Sequence, residues 1–107
     1  MVVAQERLLS DVMKDIHRER KSGALYLSMV ETSEDLFRVY FEQGNIYHLR
    51  YGSASGRDCL DILEYYTIHS ATYFDGIRAP GSPQTDLPPT AEIIERFTRM
   101  NKTIKIR

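Results

Sequence analysis

With a single cysteine in 107 residues, the chain cannot close an intrachain disulfide, which fits a reducing cytoplasm. No apolar run approaches the ~20 residues that span a bilayer. The opening Met1-Val-Val-Ala-Gln-Glu-Arg7 has neither the basic start nor the apolar centre of a secretion signal. An excess of one charge is lacking too. A net charge of −1 gives nucleic acids and membrane surfaces no general attraction, which leaves only local basic patches to consider. There is no internal repeat and no low-complexity segment. These absences point to a cytoplasmic globular protein. Its 42% apolar and 27% charged residues are ordinary for that class, and its length supports one modest core and not two.

Catalytic spacing is also missing. Three histidines, one cysteine and 15 carboxylates are enough raw material for an active site. No pair of Cys or His residues stands at metal-ligand spacing, however, and there is neither a phosphate-cradling glycine loop nor a nucleophile elbow. Cys59 falls on the apolar stripe of a helix, where a free cysteine behaves as a small hydrophobe. Core packing is therefore preferred over a thiolate paired with His48 or His69. His48 reads as a hydrogen-bonded, half-buried strand residue, and His69 as part of a helix-to-strand junction. No catalytic residue, metal or cofactor is expected.

The signals that are present centre on Leu36 to Tyr66. Leu36-Phe-Arg-Val-Tyr-Phe-Glu42 and Ile46-Tyr-His-Leu-Arg-Tyr51 alternate as strands do, and Gly44 between them tolerates the positive φ of a tight hairpin. A two-residue turn at Gln43-Gly44 sets Phe41 opposite Ile46, and one at Gly44-Asn45 sets Phe41 opposite His48. Either places His48 on the Phe37/Val39/Phe41 side; a three-residue loop with a bulge would reverse it. Ser53-Ala-Ser-Gly56 breaks the pattern. Ser55-Gly-Arg-Asp58 then has the form of a capping box, with Asp58 in place of Glu or Gln. Next comes a helix with Cys59, Leu60, Leu63 and Tyr66 on one stripe, ending near Thr67.

Around this unit, residues 4–19 read as an amphipathic helix with Leu8, Leu9, Val12, Met13 and Ile16 on its stripe. The basic run His17-Arg-Glu-Arg-Lys21 suits the negative end of its dipole, and Gly23 serves as its stop. Ala24 to Val30 is the first strand, with Leu25, Leu27 and Met29 on one face and Tyr26 and Ser28 on the other. Ser70 to Asp75 is the fourth. All four prolines fall in the connector 79–89, which excludes helix and discourages a central strand. Thr90 can cap a last helix over 90–100, with Ile93, Ile94, Phe97 and Met100 on its stripe. Ile104 and Ile106 suit a short edge strand or a frayed end.

Seven tyrosines are the notable excess. Tyr47 and Tyr51 are expected to share a face with Leu49, with Arg50 between them, and Tyr65 and Tyr66 end the central helix. Tyr and Arg anchor protein interfaces, although Tyr also rims small cores with its ring buried and its hydroxyl wet. The same mixture can stack RNA, a lesser reading at this net charge.

The order of signals carries a family resemblance. Ser22-Gly23-Ala-Leu25 opens a strand, and Phe41-Glu-Gln-Gly44-Asn-Ile46-Tyr-His48 forms a hairpin. Gly52 precedes Gly56 and a helix, and Leu87-Pro-Pro-Thr90 leads into the last helix. This arrangement resembles the DUF4388, or PATAN-like, family of bacterial signalling proteins from about Ser22 to Phe97. It departs from the family pattern at Leu49 and Ser70, where small residues or Gly are usual. The resemblance implies a non-catalytic regulatory domain that acts by protein contact, in some members on motility or pilus machinery. It carries over no catalytic residues.

The expectation is one α+β domain over residues 1–107. Its antiparallel sheet has about four strands, with the N-terminal and central helices packed on it and the C-terminal helix following the Pro-rich connector. The function expected is that of an adaptor binding a protein of a signalling or motility system, with no membrane insertion. The candidate interaction surface is His48, Arg50, Tyr51 and Arg57. A second reading is a sensor of small ligands or anions that uses the Gly52–Arg57 turn and the free N–H groups of the following helix. Self-association is a third, since the first and last helices offer more apolar stripe than a small sheet covers.

Overall fold

The structure, a computed structural model, describes residues 5–32, 35–81 and 84–106. Its elements run β1 (Gln5–Leu8), α1 (Leu9–Arg18), β2 (Gly23–Met29), β3 (Leu36–Glu42), β4 (Asn45–Tyr51), β5 (Ala54–Ser55), α2 (Asp58–Tyr65), β6 (Ile68–Asp75), α3 (Thr90–Met100) and β7 (Thr103–Ile106). The class is α+β. The sheet, however, has seven strands in the order β1-β7-β6-β2-β3-β4-β5, and it is mixed because β6 and β7 pair in parallel. The four expected strands are its antiparallel centre, β6-β2-β3-β4. The three additional strands have four, two and four residues, too few to establish an alternation.

The N-terminal helix expected over 4–19 is shorter. Gln5 to Leu8 is strand, antiparallel to β7, and residue 4 lies outside the described residues. Leu8 and Leu9 fit a helical stripe on pattern alone; pairing with the far end of the chain overrides it for Leu8. The helix does not stop at a glycine either, because Arg20 takes up the left-handed conformation (φ 52°). Gly23 serves close packing instead. A Cβ there would lie 2.4 Å from the Phe74 carbonyl and 2.5 Å from the Tyr73 hydroxyl.

One apolar cluster joins the helices to one face of the sheet. Leu9, Met13 and Ile16 of α1, Leu60 and Leu63 of α2, and Ile93 and Phe97 of α3 meet Leu25, Leu27, Phe37, Val39 and Leu49. Each such side chain fully removed from water contributes roughly 1.5–3 kcal/mol. The central hairpin turns at Gln43-Gly44, both with positive φ (48° and 82°), as the tightest hairpin turns require. Its tip rests on the segment that follows α1, where the Gly44 N–H donates to the Lys21 carbonyl at 2.8 Å.

The Pro-rich connector contains neither helix nor strand among its described residues and straps the β4 edge. The Ala79 N–H donates to the Tyr47 hydroxyl at 3.0 Å. The Gln84 carboxamide accepts from the Leu49 N–H at 2.9 Å and donates to the Leu49 carbonyl at 3.0 Å. Thr90 does not cap α3, whose N-cap is Pro89; its hydroxyl accepts the Ile46 N–H at 2.8 Å and ties α3 to β4. Ile104 and Ile106 lie on β7, which is paired on both sides between β1 and β6.

Candidate interaction surface

The expected turn and the Phe41–Ile46 pairing both form, yet His48 lies on the face opposite the one expected. The register shifts between Tyr40 and Phe41, so that Tyr40 opposes His48 and Val39 opposes Leu49. The extra residue is Tyr47, a β-bulge that reverses the facing of the rest of β4. Leu49 is therefore in the core, and Tyr47 no longer shares its face. The Tyr47 ring stands 6.4 Å from that of Tyr40 on the helix-free side.

The four residues expected to form one surface are divided. His48 is only 6% exposed. Its ring meets Tyr40 edge-on at 5.4 Å, and Nε2 lies 3.4 Å from the Gln84 amide nitrogen. Its Nδ1 has no hydrogen-bond partner among the described residues. Burial and, after it, the Arg50 charge hold the ring below the ordinary histidine range. Tyr51 points into the helix-covered side, stacked on Phe37 at 5.8 Å and edge-on to Tyr66 at 5.8 Å. Arg50 and Arg57 are exposed, Arg50 on the helix-free sheet face and Arg57 at the start of α2.

That helix start already holds a carboxylate. The Arg57 N–H donates to Asp86 Oδ2 at 3.1 Å, and a Cβ at Gly56 would lie 2.5 Å from Asp86 Oδ1. No side chain of the Ser55–Asp58 segment caps α2, so the expected capping box does not form and the connector supplies the acid instead. An anion arriving at the Gly52–Arg57 turn would have to displace Asp86.

The helix-free face presents a different set of residues. Tyr26 opposes Thr72 on one side and Arg38 on the other, and Arg38 opposes Arg50. One row across the sheet thus runs Thr72, Tyr26, Arg38, Arg50. The Arg38 guanidinium sits over the Tyr26 ring at 5.5 Å, within cation–π range, and Phe74 flanks Tyr26 at 5.1 Å. Two shallow recesses meet at Leu36. One of about 230 Å³ is lined by Tyr26, Ser28, Leu36, Ser70, Thr72 and Phe74. The other, of about 180 Å³, is lined by Asp35, Leu36, Arg38, Arg50 and Gly52.

Of this set, the sequence singles out only Arg50. Alternation in β2 puts Tyr26 and Ser28 opposite the core. Which other residues share that face depends on strand neighbours distant in sequence, and nothing local encodes those.

Cys59 is fully buried, and burial pushes its thiol up to about 11, against the thiolate that nucleophilic chemistry needs. Among the described residues no group of His, Cys, Asp and Glu is placed to hold a metal ion, and no helix is long and apolar enough to cross a membrane. Compared with models of protein families, with curated proteins and with solved structures, the chain matches none.

Proposed function

We propose that this chain is a non-catalytic adaptor domain of bacterial signal transduction. It acts in the cytoplasm by binding a protein of a signalling or motility system. The observation that carries the reading is the helix-free face of the sheet, where exposed Leu36, Arg38 and Phe74 adjoin Tyr26 and exposed Arg50 lies beyond Arg38. Apolar, aromatic and arginine side chains on one accessible surface are the composition of interface anchors. The order of glycine-centred motifs that resembles the DUF4388 family points the same way, and the buried thiol of Cys59 gives an enzyme reading little to work with.

The test is capture. The folded protein is immobilised, exposed to lysate of its native host, and retained proteins are identified against a heat-denatured control. The expected result is one signalling or motility component held by the folded protein alone. A lysate that yields nothing beyond the control would refute the adaptor reading. So would substrate turnover abolished by His48→Ala or Cys59→Ala.

A further inference from the structure

We infer that the helix-free face selects an acidic–apolar segment of a partner protein. A carboxylate of that segment sits at Arg38 and Arg50, and an apolar side chain lies against Leu36, Tyr26 and Phe74. This rests on the adaptor reading and adds to it the surface and the chemistry it recognises.

Arg38 and Arg50 are direct cross-strand partners, so their side chains rise together from one face. Like charges so placed disfavour the sheet. Neither arginine forms an ion pair among the described residues, a condition shared with Arg20, Arg57 and Arg78, but only these two stand directly opposite each other on adjacent strands. Asp35 lines the same recess but pairs with neither, so two positive charges face one negative. A carboxylate arriving from outside would relieve the repulsion and gain charge-assisted hydrogen bonds.

The apolar end adjoins directly, because Leu36 lines both recesses. Leu36 is 41% and Phe74 43% exposed, which marks them as uncovered apolar surface beside a basic pair. From β3, which carries Arg38, to β6, which carries Phe74, is two strand spacings, roughly 10 Å. That span equals about two turns of helix.

Single-stranded RNA would also seek Arg beside aromatics, but the rings are placed poorly for it. Tyr40 is only 3% exposed and meets Tyr26 edge-on, while Phe74 is tilted 58° to Tyr26. Successive bases find no pair of open, flat platforms.

The probe is a short synthetic helical peptide with two glutamates one turn apart and two leucines about two turns further on, titrated into the isotope-labelled full chain. Amide shifts are expected to cluster at Leu36, Arg38, Arg50, Thr72 and Phe74. Affinity should fall about tenfold or more in Arg38→Glu/Arg50→Glu and equally when the peptide carries Gln for Glu. It should rise in Asp35→Asn, which removes the built-in competitor. Circular dichroism establishes that each variant is folded. Equal binding of the Gln peptide, shifts located elsewhere, or tighter binding of oligouridylate would overturn the inference. So would the same amides shifting with protein concentration alone, which would assign the face to a second copy. If the peptide fails while host lysate still yields a partner held equally by wild type and the double variant, the surface is wrong and the adaptor reading survives. If both fail, both readings are lost.

Discussion

The side chain of Gln84 pairs with Leu49 as a neighbouring strand would, taking its N–H and giving a hydrogen bond to its carbonyl. The Leu49 carbonyl has a second donor in the Gly56 N–H, at 3.0 Å, so the N–H depends more heavily on Gln84. Leu49 is fully buried. Gln84→Ala is therefore expected to destabilise the protein by about 1–3 kcal/mol, read from urea midpoints, and to speed amide exchange at Leu49. Gln84→Glu should cost more, since a carboxylate then faces the Leu49 carbonyl with no proton to offer. An unchanged exchange rate in both variants would mean that the strap contributes little.

His48 gives the fold an acid sensitivity. Its ring is held below the ordinary histidine value of 6.5 in the folded chain, so the unfolded chain takes up the proton first. Stability should be level above about pH 6.5 and decline as pH falls through and below it. The lowered carboxyls of Asp15 and Glu31 withdraw their contribution only in the more acidic carboxylate range. Urea midpoints at about pH 7.5 and about pH 5.5 should therefore differ in the wild type, and the difference should shrink in His48→Gln. A wild-type midpoint that rises on acidification would contradict this assignment.

Thr90 shows how one hydroxyl joins α3 to β4. It is 7% exposed and Ile46 is 6% exposed, so the N–H it accepts at 2.8 Å has little water to fall back on. Thr90→Val keeps the shape and removes the acceptor, and about 1–3 kcal/mol should be lost. Thr90→Ser keeps the acceptor and should cost less. Thermal melts of the two variants separate hydrogen bonding from packing, and equal losses would assign the effect to the methyl group.

Cys59 should be silent in the native state. With its side chain enclosed and its thiol pushed up to about 11, a water-soluble disulfide reagent should leave it unmodified until the protein is denatured. Full modification should then occur in denaturant. Rapid native labelling would mean that α2 opens readily from the sheet.

The sequence is most informative where structure is local. Alternation locates β2, β3, β4 and β6, and apolar stripes locate the three helices with core positions such as Met13, Leu63 and Phe97. The features that escape it are decided by distant partners. β1 looks helical until β7 is beside it, and the cap of α2 comes from Asp86 and not from Ser55. The single extra residue at Tyr47 turns His48 and Arg50 away from the core and Leu49 and Tyr51 into it, whereas the separation of Arg50 from Tyr51 follows from alternation alone. A bulge leaves almost no trace in a two-residue alternation, because one added residue simply restarts the pattern on the other face.

The pairing of Gln5 with Ile106 bears on how the chain folds. Among the described residues β1 has no neighbour in the sheet except β7, so it waits for a strand about a hundred residues further along the chain. The ladder of Gln5–Leu8 closes only once Thr103–Ile106 is beside it. All the elements between them are looped in that step, which places it late and makes it slow relative to the local hairpin. The same dependence runs in reverse. Loss of β7 leaves β1 without its partner, so the two strands are expected to be released together as one cooperative unit at the sheet edge.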